Sequence, residues 1–329
     1  MKSVLSLAIV AIAVPLGPSV PAELAPDTYG RDEPSLHAVP FSTRLSRAAT
    51  SQVELFVPWR TGEIARVMVF VPSGYRIDLT SMPGVGVGSV TMWSDFRGYV
   101  GKIAAAAPSE HASNSCAPGV HQAVWLLKLH IHGKKTVVPL YVDGTVGADA
   151  SLGGYRIEGC LPRSSDLGMR VALLELDLDE LTNPRAAGAY TWRAFLTPYS
   201  GSGPDPSRTF ELRSTVPLPM KLTLRARYDR TGKHAILTGQ FIAPGFGVAG
   251  MPVELFVKSG PYLEPVKWTR TRTDGRFSLR RRIRGRTTFA AATGAIAECE
   301  SNITAPGGCV SETIAGVASA KATVVPRRR

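Results

Sequence analysis

Short runs of alternating apolar and polar residues dominate the chain from residue 52 onward. Examples are ARVMVFVP, AVWLLKLHIH and RVALLELDLD. Gly, Pro, Asn and Asp stand between the runs, which is where strand boundaries need them. Helical spacing is nowhere kept for three turns without a Gly or Pro. The pattern therefore predicts an all-β protein built from sandwich-type domains.

Prolines and polarity divide the chain into predicted segments. STVPLPM, residues 214–220, holds two prolines that block helix continuation and do not suit a central strand, so we expect a domain boundary there. We predict two consecutive β-sandwich domains, a larger one over residues 52–216 and a smaller one over residues 220–326. The smaller has room for about seven strands, which is immunoglobulin-like in size. Residues 23–51 are polar and without clear period, and they predict an irregular leader.

The first 22 residues have the features of a secretory signal peptide. Lys2 precedes a mostly apolar stretch from Val4 to Leu16, and small residues and prolines lead to Ala22. About a dozen apolar residues are too few to span a bilayer. No later stretch is apolar enough for a membrane helix. We therefore expect a protein that is secreted or held at the cell envelope, with no transmembrane segment after signal removal.

Four cysteines are present, Cys116, Cys160, Cys299 and Cys309. An even count in an oxidising compartment predicts two disulfides. Three connectivities are open, and the pairing of Cys116 with Cys160 and of Cys299 with Cys309 is the most economical. A zinc site is disfavoured because the sequence has no C-x-x-C pair.

Two segments of the C-terminal part resemble a known type of module. GFGVAGMPVELFV is followed by WTRTRTDGRFSLRRRIRGRTTFAAATG. Together they are similar to bacterial Ig-like or transthyretin-like modules related to carboxypeptidase regulatory domains, over residues 235–294. The resemblance implies a β-sandwich that serves as a spacer or attachment domain, with no catalytic residues to transfer. The N-terminal domain more faintly resembles uncharacterised exported bacterial proteins with a VPSGY strand start, which implies no function.

Charge is distributed unevenly along the chain. The formal net charge is +12, and from Leu218 onward 19 basic residues stand against 7 acidic ones. The part before it is balanced, so the whole excess lies in the last third. An asymmetry of this size indicates an electrostatic partner for the C-terminal part or a merely soluble basic domain.

Asp274-Gly275 predicts a two-residue hairpin turn of type I′. This turn would place Thr273 opposite Arg276 and, further out, Trp268 opposite Arg281. Because side chains alternate between the faces of a strand, one face of the hairpin would be directed to the core. Its members are Val266, Trp268, Phe277, Leu279 and Ile283.

The other face of this hairpin would form a basic strip consisting of Lys267, Arg276, Arg280, Arg282 and Arg284, with Arg286 and Arg327–Arg329 as further contributors. Arg270, Arg272 and Arg281 fall in the core register. The hairpin is therefore expected at a sheet edge, where long stems cover apolar surface and the charged heads reach water. Arg281 would stack on Trp268, or a bulge would shift it outward.

Two interpretations of the basic strip are open. An exposed basic cluster can attach to anionic cell-wall polymers or lipid headgroups, because binding releases counterions. The strip can equally be a solvated edge whose charges prevent strand addition by another chain. Nucleic acid is disfavoured as a partner, because an exported protein seldom meets it and the strip has no aromatic platform for bases.

LKLHIHGKK contains the pair of residues that most resembles part of a metal site. On a strand, His130 and His132 would share one face and could supply two metal ligands. Glu175, Asp177 and Asp179 form a carboxylate row that would face these imidazoles if the two strands were neighbours. Two ligands alone do not make a site. The sequence also lacks the G-x-S-x-G, H-E-x-x-H and phosphate-loop motifs, so no enzymatic activity and no cofactor are predicted.

Aromatic residues of the first domain support an alternative function. Several of them, if exposed, could form a platform for a sugar ring. They are Trp93, Phe96, Tyr99, Trp125, Tyr141, Tyr155, Tyr190, Trp192 and Tyr199. The sequence favours an exported, non-enzymatic, envelope-associated or structural protein whose basic domain attaches to anionic surfaces. The alternative is a secreted carbohydrate-binding or hydrolytic protein with its site in the N-terminal sandwich.

Overall fold

The computed structural model describes residues 33–325 except 95–96, 202, 230–233, 261, 295, 302–308, 315–316, 318 and 320, with backbone alone for residues 296–301 and 309–314. The predicted signal peptide and Arg327–Arg329 lie outside the described residues. The chain forms two compact units. The N-terminal unit ends at Val216 and also takes in Ala297–Thr313, whereas the C-terminal unit comprises Pro217–Ile296 and the chain from Ile314.

Short strands make up nearly all of the regular structure of the N-terminal unit, which confirms the prediction of an all-β protein. The strands are β1 (Ser35–Pro40), β2 (Ser51–Phe56), β3 (Ile64–Val71), β4 (Arg76–Ile77), β5 (Gly86–Trp93), β6 (Gly98–Ala106), β7 (Ala123–Ile131), β8 (Lys134–Gly144), β9 (Tyr155–Cys160), β10 (Leu173–Leu178), β11 (Leu181–Thr182), β12 (Gly188–Ser200), β13 (Gly203–Pro204) and β14 (Phe210–Leu218). One α-helix, α1 (Ser164–Leu167), and 3₁₀ turns at Trp59–Thr61, Pro108–His111, Gly147–Ser151 and Pro206–Arg208 also occur in this described region. None of the described helices is long and apolar enough to cross a membrane.

One extended sheet organises the N-terminal unit. Its described strands follow the order β1-β2-β10-β5-β6-β7-β8-β9-β3-β12-β14, and each neighbouring pair from β1 to β12 runs antiparallel. The first and last strands of this order lie close together, since the amide of Ala38 on β1 donates a 3.0 Å hydrogen bond to Ser214 Oγ on β14. The sheet is therefore curled. Alternate side chains of the strands are thereby enclosed in the core, with large members such as Trp125, Trp192, Met92, Ile103 and Leu127.

Strand β1 lies within residues 23–51, which were predicted to form an irregular leader. That prediction is wrong for Ser35–Pro40, which pair in antiparallel register with β2. Leu36 and Ala38 are fully buried, and so is the neighbouring Ser35. Because this strand is covered on both faces, its sequence lacks the alternation by which a half-exposed strand is recognised.

The chain passes from the C-terminal unit back to the N-terminal sheet through two strands, β23 (Ile296–Ser301) and β24 (Cys309–Ile314). Strand β24 pairs in parallel with β14, with Arg213 opposite Val310. The predicted domain over residues 220–326 is therefore interrupted, because this pairing is non-local. The predicted linker is also partly a strand, since Ser214–Leu218 continue β14.

Two sheets face each other in the C-terminal unit, in the manner of a β-sandwich. One contains β15 (Lys221–Leu222), β16 (Arg225–Tyr228), β17 (His234–Ala243), β18 (Phe246–Gly247) and β21 (Arg276–Arg282). The other has the order β20 (Tyr262–Arg270), β19 (Pro252–Ser259), β22 (Thr287–Thr293), β25 (Ala322–Val324). Leu237, Leu255, Leu279, Phe289 and Val324 from both sheets form the core between them.

The predicted hairpin around Asp274-Gly275 is wrong, because β20 and β21 belong to different sheets. Gly275 has a positive φ of 76° and Asp274 does not, so the turn is not of type I′. The amide of Gly275 donates to the carbonyl of Arg272 at 2.9 Å, and the amide of Arg272 donates to the carbonyl of Arg276 at 2.8 Å. This three-residue reversal carries the chain from one sheet to the other.

A bulge in β20 changes the faces of its side chains. The β19–β20 register shifts between Leu255, which faces Lys267, and Phe256, which faces Pro265. Val266 consequently packs on the core, while Trp268 is 67% exposed. The predicted core position of Trp268 is therefore wrong, because an extra residue in one strand inverts the alternation beyond it.

One of the predicted disulfides is formed in the described part of the chain, between Cys116 and Cys160. Cys116 packs beside a small buried cluster of Ala117, Val124 and Tyr141. His121 holds the same loop, because its Nε2 lies 2.7 Å from the carbonyl of Ala117 and its Nδ1 2.8 Å from Asp143. The side chains of Cys299 and Cys309 lie outside the described residues, so their bridge stays a prediction.

Removing this disulfide should destabilise the N-terminal unit. The bridge spans 44 residues, and a loop of that size restricts the denatured chain enough to contribute about 2 to 4 kcal/mol. We expect the Cys116→Ser/Cys160→Ser variant to unfold at lower urea concentration, as followed by tryptophan fluorescence. Adding reductant should lower the wild-type midpoint by more than that of the variant. Identical midpoints for the two proteins would contradict the assignment.

Candidate anion-binding face

Strands β16, β17 and β21 place alternate side chains on the outer face of the five-stranded sheet. The register sets Arg225, Thr238 and Ser278 side by side in one row, and Arg227, Ile236 and Arg280 in the next. Gln240 lies opposite Arg276 at one end, and His234 lies opposite Arg282 at the other. The intervening residues Leu237, Phe277 and Leu279 are buried in the sandwich, so the polar set must point outward.

Positive charge dominates this outer face. We call its exposed basic residues the cationic face: Lys221, Arg225, Arg227, Arg276, Arg280 and Arg282. Side chains of β16 and β21 flank the central strand β17 on both sides, at a strand spacing of about 5 Å. Arginines thus border a line of smaller, mostly uncharged side chains.

Asp229 is the buried acidic group beside this face. Its side chain is 8% exposed, and its carboxylate lies 2.7 Å from Arg280 Nη2 and 3.3 Å from His234 Nδ1. It fixes one guanidinium and leaves the others without a buried counterion in the described residues. Asp274 in the adjoining turn lies 3.6 Å from Arg276, but both side chains are solvent-exposed, so this pair contributes little.

A depression of about 530 Å³ opens at one end of the face. We call it the central groove and define it by Arg225, Thr238, Gln240, Arg272, Arg276 and Ser278. Gly239 lies beneath it, and a Cβ there would come within 2.3 Å of the Phe277 ring and 2.1 Å of the Thr223 carbonyl. The missing side chain therefore permits the Phe277 ring to close the sandwich under the groove.

Of the residues predicted for the basic strip, the structure brings together Arg276, Arg280 and Arg282. Arg284 is exposed in the bend that follows β21. Lys267 is exposed on β20 in the other sheet, so its inclusion in the strip is wrong. The proposed stacking of Arg281 on Trp268 is also wrong, because Arg281 faces Ala235 whereas Trp268 faces Glu254.

Sequence reasoning missed Arg225, Arg227 and Arg272. The alternation in RARY was visible, and it would have identified Arg225 and Arg227 as side chains of one strand face. Their proximity to β21 depends on β17, which inserts between the two strands. Arg272 lines the groove because it begins the reversal before β21.

The predicted histidine pair of the N-terminal unit does not form a strand face. His130 lies on β7, but His132 follows the strand with a positive φ of 50° and turns the chain with Gly133 into β8. His132 instead contacts the hydroxyl of Tyr99 at 3.1 Å. In the part of the chain that the structure describes, no three His, Cys, Asp or Glu residues are grouped so that they could hold a metal ion.

Glu175, Asp177 and Asp179 do not face those histidines either, since β5 and β6 separate β10 from β7. Glu175 lies opposite Glu54 in the register of β10 with β2. Its carboxylate accepts a 3.0 Å hydrogen bond from Trp93 Nε1. Burial raises the pKa of Glu175 to about 7, and the neighbouring Glu54 and Asp177 add to the increase. Burial also raises the pKa of Asp177.

None of the described aromatic residues predicted for the sugar platform is fully exposed, and Trp93, Tyr155, Tyr190 and Tyr199 are half-buried. Trp125, Tyr141 and Trp192 are almost fully buried, and Tyr99 is 7% exposed. Tyr75 lies edge-on to Trp192 and Tyr190, which makes this group part of the packing. Phe96 lies outside the described residues.

No family model and no curated protein matches the chain. Several solved structures show a slight likeness to it. Domains D2 and D3 of the major pilin SpaD of Corynebacterium diphtheriae are 11% identical, with 86% of this chain and 99% of that chain covered and a TM-score of 0.27. The major pilin subunit BcpA of Bacillus cereus is 8% identical, with 89% and 71% covered and a TM-score of 0.27. The D0-D1 domain of intimin is 10% identical, with 88% and 97% covered and a TM-score of 0.20. At these values the likeness supports no conclusion about function.

The raised pKa of Glu175 predicts a pH-dependent stability. Between about pH 4.5 and pH 7 the unfolded chain releases the proton that the folded protein keeps, so the free energy of unfolding should fall as pH rises. The Glu175→Gln variant should lose this component, on the order of 2 to 3 kcal/mol. Urea unfolding at pH 4.5 and pH 7.5 measures it. Asp205→Asn, at an exposed turn, is the control, and equal pH slopes for Glu175→Gln and wild type would contradict the prediction.

Proposed function

We propose that the protein is an exported, non-enzymatic attachment protein whose C-terminal unit binds anionic polymers or headgroups of the cell envelope through its cationic face. The observation that supports this most is the register that places Arg225 and Arg227 on one side of β17 and Arg276, Arg280 and Arg282 on the other. Binding of this kind needs no catalytic group.

The arrangement suits an extended anion better than a single small one. Side chains that point to the same face repeat about every 7 Å along a strand. Arg225 and Arg227 on β16 follow this repeat, as do Arg280 and Arg282 on β21. A polymer or a headgroup surface with repeated negative charges could therefore contact several guanidinium groups at once, and each contact would release a counterion.

Protection of the sheet edges is the competing explanation for this charge. Among the described strands, β16 and β21 each pair only with β17, so both are edge strands whose arginines could keep another chain from adding. However, arginines from the two edges line the same groove, Arg225 from β16 and Arg276 from β21. Edge protection does not require this convergence, which favours a binding role for the face.

Removal of charge from the cationic face should weaken binding to anionic ligands. We expect the Arg227→Ala/Arg276→Ala/Arg282→Ala variant to bind polygalacturonate, and vesicles of phosphatidylcholine with phosphatidylglycerol, at least about tenfold more weakly at 50 mM salt. The plot of log K against log salt concentration should become shallower, with the magnitude of its slope smaller by about 2. Arg280 is left in place because it pairs with Asp229. Isothermal titration calorimetry measures binding of polygalacturonate, and co-sedimentation measures binding to the vesicles. The ligand that binds shows whether the anion belongs to a polymer or to a lipid headgroup.

A matched control removes three charges from the other sheet. Lys258, Lys267 and Lys321 are exposed on or beside the four-stranded sheet. Their replacement by Ala lowers the net charge by the same amount, so binding should stay within about twofold of wild type if the cationic face is the site. Equal losses in both variants, or no binding of either ligand by the wild type, would overturn the proposal.

A further inference from the structure

The two ends of the cationic face differ in chemistry. At one end the central strand presents Thr238 and Gln240, with Ser278 beside them on β21. At the other end it presents Ile236 and His234. On the described parts of β16, β17 and β21, hydroxyl and amide side chains therefore accompany the arginines around the central groove.

Several of these polar groups are available to a ligand. Within the described residues, the hydroxyls of Thr238 and Ser278 make no hydrogen bond to the protein. The amide nitrogen of Gln240 donates to the carbonyl of Asp274 at 2.9 Å, which leaves its Oε1 as an acceptor. By contrast, the hydroxyl of Thr223 bonds the backbone of Gln240 and serves the fold.

We infer that the central groove is a subsite for an anionic sugar unit, in which Arg225 and Arg276 bind the carboxylate or phosphate while Thr238, Ser278 and Gln240 hydrogen-bond the ring hydroxyls. A bare polyanion would use the guanidinium groups alone. A sugar uses both kinds of group, and the groove provides both within two neighbouring rows of the sheet.

The size of the groove agrees with this ligand. Its volume of about 530 Å³ falls within the range of small-molecule sites. Arg225 and Arg276 lie on strands two spacings apart, which is about 10 Å. One sugar ring with its substituents can lie between them over the backbone of Thr238 and Gly239.

This inference rests on the proposed function, and it is tested with two anionic ligands that differ in their hydroxyl groups. Tetragalacturonate carries charge and ring hydroxyls, whereas inorganic tetraphosphate carries charge alone. The Thr238→Val/Ser278→Ala variant removes the two hydroxyls and keeps all arginines. We expect about a tenfold loss of affinity for tetragalacturonate, because two hydrogen bonds are lost. Affinity for tetraphosphate should change by less than twofold, which also shows that the sheet remains folded.

Thr269→Val/Ser259→Ala on the four-stranded sheet is the matched control and should bind both ligands like the wild type. An unchanged tetragalacturonate affinity in the Thr238→Val/Ser278→Ala variant, with wild-type binding of both ligands intact, would overturn the sugar subsite and leave the proposed function standing. Equal losses for both ligands would also overturn it. If neither ligand bound the wild type, and neither polygalacturonate nor the vesicles did, both proposals would be wrong.

Discussion

Burial of one face of β17 and β21 against β19 and β22 determines where the arginines of the C-terminal unit lie. Leu237, Leu279 and Phe289 meet in the core between the sheets, and the strand period of two then sends their neighbours to the opposite side. Arginines at alternate positions consequently collect on one surface. The cationic face is a direct result of how this sandwich hides its apolar side chains.

Local patterns were enough to predict the class of fold and the character of single strands. The alternation in RFSLRRRI assigned Arg276, Arg280 and Arg282 to the outside and Phe277 and Leu279 to the core, as the structure shows. The pairing of strands could not be predicted in the same way. Asp-Gly favours a hairpin locally, but β20 pairs with β19 and β21 pairs with β17. These non-local pairings place Val266 and Leu279 in the core between the two sheets.

The candidate site was predictable only in part, for the same reason. The arginines of β21 could be assigned to the site from the alternation within that strand. Arg225 belongs to the site because β16 pairs with β17, which sets Arg225 opposite Thr238, more than ten residues later in the sequence. Lys267 was misplaced because the partner of β20 is β19 and because a bulge shifts its register. Strand β1 escaped prediction because both of its faces are covered, so no alternation marks it.

The two units differ in how far their charged side chains are paired. This difference supports the attachment role proposed for the C-terminal unit. In the N-terminal unit the buried Glu158 pairs with Arg66 and lies 3.5 Å from Arg156, and Glu211 lies 2.5 Å from Arg193 and 2.7 Å from Arg213. Such pairs cancel charge within the fold. On the cationic face Asp229 compensates Arg280, while Arg227 and Arg282 have no acidic partner in the described residues. Like charges at this spacing repel one another and lower stability, and an anionic ligand would relieve that repulsion on binding.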